Sequence, residues 1–217
     1  THPGCMALKG AGWRVCRFPA RSWLLEVGER RWLWDTGYAS WFEQVTRKGL
    51  FQIYRRVTPV RFDPAESMVR QLNAIGLAPG DLNGLILSHF HADHIAGLRD
   101  FPGIRFIASG QGWQETRHLR GFAALRQGFI PGLIPEEFEA DMQAIESFTR
   151  QQLPAAPQPL TEGYVLPDSH GEIFLVPLPG HASGHIGAFV PPAAGWPLPA
   201  SDAPWAPAHH PELPRPP

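Results

Sequence analysis

Cysteine is scarce: Cys5 and Cys16 are the only two in 217 residues, too few for a disulfide framework and in no zinc-knuckle spacing. They read as buried or idle thiols in a reducing compartment, so a cytoplasmic location is expected. Charge is sparse and balanced. Charged residues make up 18% of the chain, and 19 basic against 20 acidic side chains leave a formal net charge of −1. With no long basic or acidic block, a non-specific nucleic-acid or membrane-surface binder is disfavoured, and a small-molecule partner is expected instead. No window approaches 18 consecutive apolar residues, which excludes a transmembrane helix. A Gly-rich phosphate loop is absent, and so is the GxSxG motif of a serine nucleophile elbow. The first residue is Thr1, and no charged-then-apolar leader pattern follows it; the chain is expected to begin inside a longer product or after processing.

What is present suits one domain over residues 1–217, with 43% hydrophobic residues to fill a core. Trp13–Phe18 and Arg21–Val27 read as strands, and Gly28-Glu29 turns the chain into a third at Arg31–Trp34. Trp32 and Trp34 alternate onto one face, most simply the core. Asp63-Pro64-Ala65-Glu66 has the parts of a helix start, and Met68, Val69, Leu72 and Ile75 recur at helical spacing before Gly76. Leu85-Ile86-Leu87 reads as a short strand covered on both faces. Ile104–Ala108, Ile173–Leu178, Ile186–Val190 and a last candidate at Leu198–Ser201 continue the strands. Residues 111–159 look like a mainly helical insertion, interrupted by glycine and proline. Trp113, Phe122, Phe129 and Phe138 in it either wall an apolar acyl pocket or pack helices on one another. Ten of the 27 residues from Pro191 to Pro217 are proline, which suggests an extended tail or an incomplete domain end. Strands early, helices interleaved and strands again late predict a layered α/β or α+β sandwich.

Five of the ten histidines fall in two clusters, each directly after an apolar strand. The first is Ser88-His89-Phe90-His91-Ala92-Asp93-His94. On extended backbone His89 and His91 point the same way, and a following helix throws Asp93 and His94 onto an adjacent face. Two imidazoles can then grip one cation while a carboxylate and an imidazole grip a second. Imidazole with carboxylate suits zinc, and also iron or manganese. The second cluster is Pro179-Gly180-His181-Ala182-Ser183-Gly184-His185. One of its histidines can complete a three-imidazole site, and His181, at the strand's end, is the better placed. For His185 a supporting or structural role is equally open.

HFHADH at 89–94 after LILS, GHASGH at 180–185 and WDTG at 34–37 resemble the metallo-β-lactamase superfamily, over about residues 12–202. The resemblance implies an α+β fold, the four-layer αββα sandwich of that superfamily. It implies that His89, His91 and His181 bind a first metal, and that Asp93 and His94 bind a second. It also implies that Asp202 bridges both, that Asp35 supports the site through hydrogen bonds, and that two zinc ions are the cofactor. One departure stands out. The family has a further histidine beyond two more strands, whereas only fifteen residues follow Asp202, with His209 and His210 in the proline-rich tail. The chain is then truncated, or the second site is incomplete, or the tail supplies an unusual ligand.

A metal on three neutral imidazoles keeps a position open for water and lowers its pKa toward about 7. Metal-assisted hydrolysis is the expected reaction, with Asp93 and His94 as the catalytic residues. Asp93 would orient the hydroxide and pass a proton to the leaving group. GHASGH resembles the lactonase and glyoxalase II branches, so a lactone or related ester is the first expected substrate. A β-lactam is the enzymatic alternative, and a non-catalytic metal-binding sensor or scaffold is the alternative of another class.

Overall fold

The computed structural model describes residues 19–153 and 160–189, together with the backbone of two short strands, β1 (His2–Pro3) and β2 (Val15–Cys16), which pair antiparallel. Aromatic and branched residues build the first hairpin, β3 (Trp23–Val27) and β4 (Arg30–Trp34), in a register running from Trp23↔Trp34 to Val27↔Arg30. Gly28 makes the turn at φ +57°, a conformation that glycine adopts without steric cost. Three further strands lie parallel to β4: β5 (Gly84–Ile86), β6 (Phe106–Ala108) and β7 (Met142–Ala144), giving the sheet order β3-β4-β5-β6-β7. The second sheet is wholly antiparallel, in the order β11-β10-β9-β8, from β8 (Arg150–Gln152), β9 (Glu162–Val165), β10 (Phe174–Pro177) and β11 (Ile186–Phe189).

Period-two alternation sorts each strand between two cores. Trp32, Trp34 and Ile86 point toward the second sheet and meet Leu175, Ile186 and Ala188 there. Leu33, Leu85 and Leu87 point the other way, onto the helices. Those helices are α1 (Ser40–Thr46), α2 (Gln52–Val57), α3 (Met68–Ala74), α4 (Ala92–Ile95), α5 (Gly110–Thr116), α6 (Gly121–Arg126) and α7 (Phe138–Asp141). Phe42, Leu72, Ile95, Trp113, Ala124 and Phe138 are their buried contributions. Each large apolar side chain buried this way stabilises the fold by roughly 1.5–3 kcal/mol. The layers are therefore α, β, β in an α+β sandwich. Among the described residues no helix covers the outer face of the second sheet, where Phe174, Val176 and Phe189 form a third, smaller cluster.

Three local expectations are corrected. The capping residues at 63–66 start only a 3-10 turn, in which Asp63 Oδ1 accepts from the Ala65 N–H at 2.9 Å. Ser67 is extended, so α3 begins one residue later at Met68. Ile75 follows the last turn of α3 and is 64% exposed, so it does not extend the helix's buried face. Residues 111–159 are not simply a helical insertion, because β7 and β8 within them form an edge of each sheet. The candidate strand Leu198–Ser201 lies outside the described residues, as does most of Trp13–Phe18.

Candidate metal centre

The parallel strand β5 delivers the first cluster to one end of its sheet. Beyond it the chain stays extended through His91, the residue before α4, at φ −70° and ψ 153°. Alternation then places His89 and His91 side by side, with ring centroids 4.4 Å apart. The second cluster sits in the connection between β10 and β11, where the Leu178 N–H donates to the His185 carbonyl at 2.8 Å. Ile186 N–H donates to the Ser88 carbonyl at 2.9 Å and ties this connection to the first cluster. His181 consequently reaches across, its Nε2 3.2 Å from His91 Nδ1. One ring nitrogen from each of His89, His91 and His181 lies within 4.8 Å of the other two. The three grade from buried His89 through half-buried His91 to exposed His181, so the trio opens to solvent on one side.

The donor set fits a zinc-like ion. Two tetrahedral vertices at about 2.0–2.1 Å from a common centre are about 3.3 Å apart, close to the His91–His181 separation. Burial holds His89 well below the ordinary histidine range, and repulsion from His94, His91, His185 and His181 adds to the shift. A neutral ring keeps a lone pair for a cation.

His94 and Asp93 form an adjoining pair. Asp93 Oδ2 is 3.6 Å from His94 Nε2, and its side chain is 31% exposed. The other edge of the His94 ring, Nδ1, lies 2.9 Å from Asp35 Oδ2. His185 is buried against His89 and His181, at ring separations of 4.9 and 5.4 Å. Asp202, His209 and His210 lie outside the described residues.

The hydrogen-bond support expected of Asp35 is present, from a fully buried residue at φ +57°. Its carboxylate accepts from the Ser88 N–H at 2.8 Å and from the Ser88 hydroxyl at 2.7 Å. The hydroxyl, having donated to Asp35, accepts from His89 Nδ1 at 3.0 Å. These bonds assign the proton of both His89 and His94 to Nδ1 and leave each Nε2 unprotonated. Thr36 fixes the far end of α4: its hydroxyl donates to the His94 carbonyl at 2.8 Å and accepts from the Gly97 N–H at 2.9 Å. The signal for this was the polar WDTG turn and Ser88, whose partners no spacing rule specifies.

Two glycine contacts close the site. Gly128 sits at φ +64° over His91, where an added Cβ would lie 3.0 Å from the ring's Cδ2. Gly184 meets α5 at Gly112, and a Cβ on Gly184 would lie 2.4 Å from the Gly112 Cα. Beside His91 the fold leaves a cleft of about 80 Å³ between Phe90, Thr116, Leu119 and Phe129. Of the four aromatic residues proposed for a pocket wall, Phe129 lines this cleft, Trp113 and Phe138 pack in the helical core, and Phe122 is 71% exposed. A wider depression of about 560 Å³, between Phe148 and His170, contains none of the clustered histidines.

Comparison with known proteins agrees with this geometry. The profile of the metallo-beta-lactamase superfamily matches residues 17–191. A probable metallo-hydrolase of Mycobacterium tuberculosis is 30% identical over 185 residues, 83% of this chain and 55% of the relative. An N-acyl homoserine lactonase of Bacillus thuringiensis is 23% identical over 180 residues, 82% of this chain and 60% of the relative. The chain thus spans little more than half the length of these curated relatives. A solved N-acyl homoserine lactone hydrolase with N-hexanoyl-L-homoserine at its catalytic metal centre shares the fold at a TM-score of 0.64, with 21% identity over 91% of this chain and 69% of the other. A mutant of B. thuringiensis AiiA with N-decanoyl-L-homoserine bound at the active site does so at 0.62, with 19% identity over 87% of this chain and 65% of the other.

Proposed function

Because the chain belongs to the metallo-β-lactamase superfamily, whose members here are metallo-hydrolases and lactonases by name, we propose that it is a zinc-dependent hydrolase of lactones or related esters. The observation that carries this reading is the convergence of three ring nitrogens from His89, His91 and His181 at a solvent-open edge. Asp93 and His94 are assigned a second ion, and Asp202, outside the described residues, the bridge between the two. When bound, zinc on such a trio supplies a polarised carbonyl and a water with a pKa lowered toward about 7.

The chain's own residues do the rest. Burial keeps His89 neutral, so that ring holds a lone pair ready for a cation. Ser88 and Asp35 hold His89 and His94 in the tautomers that offer Nε2. Asp93 is the carboxylate with solvent access at this edge. It is assigned the proton of the attacking water and its return to the alkoxide that leaves when the ester C–O bond breaks. Among the described residues no helix is long and apolar enough to cross a membrane.

The test is zinc titration of the metal-stripped protein alongside a panel of γ-butyrolactones, homoserine lactones and a chromogenic β-lactam. Lactone hydrolysis that follows zinc uptake, with both diminished in His91→Ala, is the expected result. Zinc uptake without turnover of any panel member would favour a scaffold, and hydrolysis of the β-lactam alone would move the assignment to that substrate class.

A further inference from the structure

The cleft beside His91 has properties that set what it can hold. Its floor is rigid. Phe90 packs on Trp113 and Phe138 at centroid distances of 5.4 and 6.1 Å, and Phe129 is buried. One wall is the connection carrying His181, locked to α5 by the Gly112–Gly184 contact and by the Ser183 hydroxyl donating to Glu115. Backbone against backbone cannot give way as a long side chain can. That wall of the cleft, whose volume is about 80 Å³, is therefore set by backbone packing. A cavity of roughly 150 Å³ admits benzene, and drug-sized ligands take roughly 300–1,000 Å³. By that scale, about three or four non-hydrogen atoms fit here.

The rim is polar, with Glu115, Gln127 and Ser183. The Glu115 carboxylate accepts from Ser183 and, at 3.1 Å, from the Gln111 amide. Those bonds hold its pKa below the ordinary glutamate value and so keep it ionised. A carboxylate has about four acceptor positions, so capacity remains toward the cleft. Arg117 pairs with Glu139, and Arg120 donates to the carbonyls of Arg117 and Leu119. The cleft thus presents an apolar floor, a carboxylate on its polar rim and an open side at His91.

We infer that this cleft is the specificity subsite for the substituent on the scissile lactone, that it takes a compact group of about three or four non-hydrogen atoms, and that Glu115 selects a substituent bearing an amine. This rests on the lactone-hydrolase reading. It also sets the chain apart from neighbours that hold N-hexanoyl and N-decanoyl products, because chains of that length would have to extend beyond the cleft.

The experiment compares three lactones on the zinc-loaded protein: α-amino-γ-butyrolactone, its near-isosteric α-methyl analogue, and N-hexanoyl homoserine lactone. The expected order of kcat/KM is amino above methyl by about fivefold, the contribution of an exposed ion pair, with the hexanoyl compound lowest. Glu115→Gln should bring the amino-to-methyl ratio close to one. Leu119→Ala should raise the hexanoyl compound relative to the other two. Calorimetric binding of the ring-opened amino and methyl products to the same proteins reports the subsite without turnover. The inference is overturned if the parent cleaves the hexanoyl compound as well as the small ones, or if Glu115→Gln leaves both the kinetic and the binding ratio unchanged. Failure to cleave any lactone would instead refute the hydrolase reading, and the binding ratio would then decide the subsite alone.

Discussion

Replacing Asp35 by Asn changes one atom and should flip two imidazoles. Asn tolerates positive φ better than most residues, so the backbone at +57° is not the perturbation. The buried carboxylate accepts three hydrogen bonds, from the Ser88 N–H, the Ser88 hydroxyl and His94 Nδ1. An amide has one acceptor oxygen, and the Ser88 N–H, which can only donate, must claim it. The amide nitrogen then faces the Ser88 hydroxyl and His94 Nδ1, and both must become acceptors. The hydroxyl turns its proton toward His89 Nδ1, 3.0 Å away, so the His89 proton moves to Nε2. His94 does the same. Both rings lose the lone pair assigned to metal. Three charge-assisted bonds become neutral ones, each weaker by roughly 1 kcal/mol, so the metal-free protein should lose about 3 kcal/mol. Zinc affinity should fall by about 10–100-fold, the usual effect of removing a partner behind a ligand. Chelator competition measures the affinity, denaturant unfolding the stability, and nitrogen-15 histidine shifts the tautomers. Zinc affinity within twofold of the parent, with both protons still on Nδ1, would refute the orienting role of Asp35.

Gly184→Ala places a Cβ 2.4 Å from the Gly112 Cα and 2.8 Å from Ser109 Oγ, at φ +63°. Left-handed backbone costs roughly 1–2 kcal/mol and overpacking roughly 1–3, so a loss of about 2–5 kcal/mol is expected in denaturant unfolding; a loss under about 1 kcal/mol would show that the α5 contact yields. The metal-free protein should also lose stability as pH falls below about 6.5, because the folded state holds His89 neutral while the unfolded chain takes up a proton there. Each such proton contributes about 1.4 kcal/mol per pH unit until the depressed folded pKa is reached. Thermal unfolding from pH 7.5 to 5 should show a shallower slope in His89→Asn than in the parent, and equal slopes would count against a buried neutral ring.

How much of this was legible in the sequence depended on how local the signal was. The hairpin of β3 and β4, rich in aromatic and branched residues, and the short apolar run that holds β5 carry their signal within five residues of chain, and they were readable. So was the HFHADH geometry, because an extended run entering a helix fixes side-chain directions locally. The strands β7 and β8 were not. They read Met-Gln-Ala and Arg-Gln-Gln at the edges of their sheets; β8 is polar and exposed throughout, and β7 alternates over only three residues, too short a run to detect. Nothing local to Ser88 points to its partner, Asp35, 53 positions earlier. The Gly112–Gly184 contact is likewise a meeting of distant segments, visible only once two connections are in place.

The trio is split between the two sheets, with His91 and His181 separated by 90 positions of chain. At roughly 5–20 residues per second on the ribosome, about 5–18 seconds pass between the two histidines leaving the synthesis machinery. During that interval the nascent chain offers only the partial donor set of the first cluster, and the Ile186–Ser88 bond that seats His181 cannot yet exist. The proposed centre can therefore gather its three imidazoles only after the β10–β11 hairpin has arrived, so metal uptake there is expected to follow the meeting of the two sheets.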